Sequence, residues 1–368
     1  MPAGVFLAAS GVHLVVAWCC TKIQPTLSVS GILSDWDGRW YLQLAQHGYP
    51  TDLRGGAGGA PKGQSAAGFF PLYSLLVRAV HAVHAVLPLS WEWSAVFVSV
   101  VAGAAFAVVL WQLVRAWCGP EIADRSVALV CFAPSAFVLS MVYSEGLFLL
   151  FAAACLLALH RRWWVLAGVA ALLGAATRPN GIVLIACCAV AAGLALRRAH
   201  REGRPLPWMA LAAPLLAPVG FLAFVLYDWN HFGTPTAYWT EQHRGWQQGF
   251  DGGWNTVQGV GDVLGDPLRD FNLLAVTIGI ALILIGLGLM WLWRPPAEVW
   301  VFVLGVVFLA LASTSLTSTN RFVLTAFPLL VAIARKVRGN AFAVLIACSA
   351  SAMVLLTVLA ATTRVYTP

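Results

Sequence analysis

The chain has 368 residues, of which 60% are hydrophobic and 10% charged, with a mean hydropathy of +0.80. A water-soluble globule, whose apolar fraction is about 45–50%, is excluded, and the composition reads as a polytopic membrane protein. The net charge of +7 does not point to nucleic acid, because Lys and Arg are scattered in twos and threes between apolar runs and form no dense patch.

In chain order, the first apolar run, Pro2 to Cys20, has no basic start and no small-x-small cleavage site, so it reads as a retained helix and not a removed signal peptide. The first strongly polar stretch follows at Ser34 to Tyr49, SDWDGRWYLQLAQHGY. Ser34, with Asp37 three residues on, has the form of a capping box and predicts a short helix over Trp36 to Gln46. On that helix Asp37, Trp40, Tyr41 and Leu44 share a face, and Arg39, Gln43 and His47 line a neighbouring one. It is expected to lie on the membrane surface. A purely structural alternative is that Asp35 and Asp37 serve only the positive helix end.

The next stretch, TDLRGGAGGAPKGQSAA over 51–67, has no hydrophobic period and reads as a mobile outer loop, either a lid over an acceptor or a plain tether. Phe69 to Leu87 carries Arg78, His81 and His84 and is too polar and short to cross, so it reads as an interfacial or re-entrant helix begun by Pro71. His81 and His84 share a face but lack a third ligand, which favours headgroup contact or plain exposure over a metal.

Further apolar runs at 93–114, 126–142, 145–159, 163–176, 181–196, 207–226, 271–293, 299–312, 322–334 and 341–361 bring the expectation to about eleven spans. Placing the loops with Arg115, Arg161, Arg197 to Arg204, Arg294 and Arg335 to Arg338 in the cytoplasm puts twelve of the 22 Lys and Arg, and four of the 15 acids, inside. Two outer loops result, 21–92 and 227–270, within a single 1–368 domain.

The remaining polar residues then gather on the outer face. Glu145, between two apolar runs, is either a helix N-terminal charge or a group for binding a sugar hydroxyl. Arg178, in the tight turn T-R-P-N-G with Asn180, suits a phosphate oxygen. The 227–270 loop interleaves Trp229, Trp239, Trp246 and Trp254 with His231, Glu241, His243 and Arg244, so its indoles either anchor to the interface or stack on sugars. Arg321, after the polar run STSLTSTN, is a second phosphate candidate or a snorkelling charge. The eight cysteines show no CxxC spacing, and neither a disulfide framework nor a zinc site is suggested.

WDGRWYLQLAQHGYP, then GFFPLYSLL, YSEGLF (143–148) and ATRPNG (176–181), in that order, resemble the sequence blocks of the PIG-V family of GPI mannosyltransferases and its bacterial relatives. GTPTAYWTEQHRGW (233–246) and STNRFVLTAFPLL (318–330) are weaker echoes. Gly146 and Pro179 depart from the family's usual Ala and Ser. The resemblance implies a GT-C-like fold: an all-α polytopic membrane protein with interfacial helices in a large first outer loop. It also implies a lipid-linked sugar donor on a polyprenyl phosphate, mannose as the sugar, and a lipid or glycan acceptor.

By the same resemblance the family's WD carboxylate falls on Asp37, the expected general base, with Asp35 as the reserve candidate or an orienting group. Arg178 and Arg321 are expected to hold the carrier phosphate, and Glu145, His47, Tyr41 and Asn180 to shape the sugar pocket, with Arg39 and Arg244 as further binding residues. Asp35-x-Asp37 superficially resembles the D-x-D of nucleotide-sugar enzymes, but nucleotide-sugars are absent from the outer compartment. Neither a cofactor nor a metal is required, and membrane lipids are the only other partners expected. A different sugar, a protein acceptor, or a transporter remain as alternatives. The clustering of charge at span ends and the lack of matching halves speak against the last.

Overall fold

The structure, a computed structural model, describes residues 1–51, 53, 64–86, 88–267, 270–314, 319–363 and 365–367, the side chains of 319, 320 and 322 excepted. Most of the 51–67 loop and half of the polar run before Arg321 lie outside the described residues. Among the described residues the chain is helical throughout, as the composition predicts. Among these residues six helices are long and apolar enough to cross a membrane: Pro2–Ile23, Trp91–Cys118, Pro179–Arg201, Trp208–Phe232, Phe271–Trp293 and Gly339–Thr363. Three shorter apolar helices, Glu145–His160, Trp164–Ala175 and Ala297–Leu311, pack among them.

The all-α polytopic architecture is as expected, and two of the apolar runs are each divided into two pieces. The 126–142 run is a helix ending at Cys131 and a separate turn, Ala136–Ser140. Pro134 lies between the two pieces, and a proline disfavours helix in the residue before it. The 322–334 run likewise divides into Thr319–Thr325 and Pro328–Lys336, the second opening on Pro328 at its first position.

The first run forms one helix, Pro2–Ile23, and its His13 Nδ1 sits 2.9 Å from Ser140 Oγ. Pro71–His81 is eleven residues long, about 16 Å, and too short to cross the bilayer. It packs instead on the equally short Asp37–His47 helix: Ser74 Oγ donates to the Tyr41 carbonyl at 3.0 Å and Arg78 Nε to that of Ala45 at 2.8 Å. His81 stacks its ring on Trp91 at 3.7 Å.

Two glycines permit close approaches that the site depends on. A Cβ on Gly181 would lie 2.3 Å from Ala175 Cα, so only glycine lets the Pro179–Gly181 turn fold onto the end of Trp164–Ala175. A Cβ on Gly38 would lie 3.2 Å from the Val142 carbonyl oxygen, which keeps the Asp37 segment against the Tyr143 segment.

Candidate active site

Ser34 does not cap the helix that follows. It ends the preceding short helix Val29–Leu33, and its hydroxyl donates to the Ser30 carbonyl at 2.8 Å. The helix runs Asp37–His47, and Trp36 before it adopts φ 59°, a left-handed backbone that is rare for a bulky residue. The reversal at Trp36 separates the two acids. Asp35 Oδ1 accepts from Arg39 Nε at 2.7 Å, and both residues line a cavity of about 320 Å³ with His13, Ser28 and Thr357. Asp37 Oδ2 instead accepts from Arg321 Nη1 at 2.6 Å. The two carboxylates of D-x-D therefore do not converge on one point.

Glu145 opens the Glu145–His160 helix and is 1% exposed. Its Oε1 accepts from Arg178 Nη1 and, at 3.2 Å, from Arg321 Nη1. One buried carboxylate thus ties together two arginines from distant parts of the chain, and the second arginine also holds Asp37. Burial opposes the charge of both guanidinium groups. The carboxylates more than offset it, so both stay protonated, Arg178 through Glu145 and Arg321 through Asp37 and Glu145. Arg321 also lies 5.3 Å over the Tyr143 ring, while the Asp37 N–H donates to the Tyr143 hydroxyl at 3.3 Å.

A second layer fixes these groups. The hydroxyls of Tyr41 and Ser144 lie 2.6 Å apart, and Ser99 Oγ donates to the Tyr143 carbonyl at 3.2 Å. Asn180 is buried in the turn after Arg178, and its Nδ2 has no partner among the described residues. The large loop closes over the neighbouring surface. Glu241 Oε1 accepts from the Ser65 N–H at 2.9 Å, and Trp246 packs edge-on to Trp40 and Phe69 at 5.4 and 5.3 Å. Burial pushes the Glu241 carboxyl up, against the lowering effect of its bonds to Ser65.

The structure brings Asp37, Tyr41, Glu145, Arg178, Asn180 and Arg321 together. It leaves others apart: Asp35 and Arg39 pair on the far side of Trp36, His47 is exposed at the distal end of its helix, and Arg244 is exposed in the Glu241–Gly245 turn. Among the described residues no three His, Cys, Asp or Glu side chains form a metal-binding group. Asp228 is a buried acid that the motif reading passed over. It is 1% exposed, and neither carboxylate oxygen has a partner among the described residues. A lone acid in the last turns of an apolar run was the available signal.

No protein-family profile matches the chain, and no curated protein does. Among solved structures it is similar to the crystal structure of ArnT from Cupriavidus metallidurans bound to undecaprenyl phosphate, with a TM-score of 0.55 and 13% identity. The match covers 94% of this chain and 62% of that one, so this chain spans less than two thirds of the other's length. At that identity the likeness is one of fold, the GT-C type.

Proposed function

We propose that on this fold the protein transfers a sugar from a polyprenyl-phosphate carrier to an acceptor hydroxyl, with inversion, and that the sugar is mannose, as the PIG-V resemblance implies. The observation that carries the reading is the pair of arginines held by Glu145 beside the carboxylate of Asp37. ArnT was crystallised with undecaprenyl phosphate, and the proposal extends that class of carrier to this chain.

The acceptor oxygen attacks the anomeric carbon as the bond from that carbon to the phosphate oxygen breaks. Asp37, with its side chain 26% exposed, takes the acceptor proton. Arg178 and Arg321 meet the charge that develops on the departing phosphate. The entering phosphate draws hydrogen bonding of Arg321 away from Asp37 and so leaves that carboxylate freer to act as base. Glu145, buried beneath both guanidinium groups, positions them and does not itself reach the sugar. Tyr41 and Asn180 contact the sugar, and the acceptor is a lipid or glycan. Mass spectra of membrane glycolipids and glycans from cells with and without the gene should differ by one missing hexose; identical spectra would remove the proposal.

The site is further proposed to face the extracytoplasmic side of the cell membrane, because the basic loops gather at the opposite end. In a cysteine-free chain, Gln258→Cys should react with an impermeant thiol reagent from outside, while Glu202→Cys and Asn340→Cys should not. All three positions are exposed. The reverse pattern would put the site in the cytoplasm and undercut a lipid-carried donor.

A further inference from the structure

At the far end of the bundle the last turns of Trp91–Cys118, Phe271–Trp293 and Pro328–Lys336 meet the start of Pro120–Cys131 around a cavity of about 600 Å³. Ser99, bonded to the Tyr143 carbonyl, and Cys118 lie nineteen residues apart on one helix, which puts this cavity about 28 Å from the arginine cluster. That is close to the thickness of the hydrocarbon core.

Arg335, Lys336 and Arg338 line it, and no carboxylate does. The acids nearest in sequence are engaged elsewhere: Glu121 pairs with Arg125 at 3.4 Å, and Asp124 accepts from Trp111 Nε1 at 2.8 Å. Trp117 and Trp293 form one wall, edge to face at 5.6 Å. The Trp117 Nε1 is buried and has no partner among the described residues, although an indole N–H can only donate. Three cations lining one cavity and an unused donor call for an anion with acceptor oxygens. Leu292, 70% exposed, carries the wall outward onto the apolar flank of its span. A free inorganic anion would leave that apolar wall unused.

We infer that this cavity is a binding site for the phosphodiester headgroup of an anionic phospholipid, held by Arg335, Lys336, Arg338 and the Trp117 N–H, with its first acyl carbons along Leu292. The site is separate from the arginine cluster and is independent of the transfer reaction.

The full chain, purified in neutral detergent, can be titrated with phosphatidylglycerol or phosphatidylcholine and read by native mass spectrometry. Phosphatidylglycerol should be retained at least about tenfold more tightly. Arg335→Gln/Lys336→Gln/Arg338→Gln should abolish that preference. Arg197→Gln/Arg198→Gln/Arg201→Gln, which removes equal charge from another exposed basic segment, should keep it. Trp117→Phe, which removes the indole N–H together with one of its two rings and keeps an aromatic wall, should weaken it and decides the matter should the triple variant fail to fold. Equal loss in both triple variants, or an unchanged preference in Trp117→Phe, overturns the site. Displacement of the lipid by millimolar inorganic phosphate overturns the lipid and leaves a free-anion site.

Discussion

Asp37→Asn is expected to lower turnover by about 10²- to 10⁴-fold, the range for a lost general base, while the protein stays folded and donor affinity is little changed. Asparagine keeps a carbonyl that accepts from Arg321, which donates to Asp37 at 2.6 Å, and it is well tolerated at a helix start. What it removes is the ability to take a proton. Asp35→Asn should cost far less, because Asp35 turns away at Trp36 and pairs with Arg39. Steady-state kinetics on purified protein separate the outcomes: a fall confined to kcat supports the base, and a rise in donor KM alone makes Asp37 a binding group. A variant with a near-normal rate would take Asp37 out of the mechanism.

Glu145→Gln is expected to damage both stability and donor binding. Its side chain is 2% exposed and serves two arginines whose own exposures are 16% and 8%. Breaking a buried ion pair by removing one partner costs about 3–5 kcal/mol, since the remaining charge stays buried without compensation. Here two cations are left facing each other, and only Arg321 keeps a second carboxylate, that of Asp37. Thermal unfolding in detergent should fall by several degrees, and donor KM should rise more than kcat falls. Glu145→Asp, which keeps the charge, should recover part of both. Wild-type melting and donor affinity in Glu145→Gln would show that the carboxylate does not organise the arginines.

The sequence made parts of this site readable because a membrane chain has few places for ionised groups. Asp37, Glu145, Arg178 and Arg321 stand out as polar residues at the ends of apolar runs, and the charge balance of the loops puts them on one face. Their partnerships were not readable. Asp37 and Arg321 are 284 residues apart, and nothing local specifies which carboxylate meets which guanidinium. From the sequence Glu145 reads as a helix N-terminal charge or a sugar-binding group, since exposure is not written in the sequence; its burial under both arginines makes it a positioning residue in the proposed mechanism. The separation of Asp35 from Asp37 rests on one left-handed residue, Trp36, which composition and spacing do not reveal. The Asp37–His47 helix was legible from its periodicity, but its capping box was not real, because Ser34 was already used to end the helix before it. Prolines divide two apolar runs that hydropathy alone reads as continuous.

The most direct test is a transfer assay on purified protein in liposomes, supplied with polyprenyl phosphate carrying labelled mannose, an extract of membrane acceptors, and EDTA throughout. Label is expected to move to an acceptor in a linkage of anomeric configuration opposite to that in the donor, free polyprenyl phosphate to appear in equal amount, and a nucleotide-linked mannose to give nothing. Transfer that needs manganese or magnesium, use of the nucleotide sugar instead, or movement of a solute across the bilayer with no sugar transfer would contradict the proposed function.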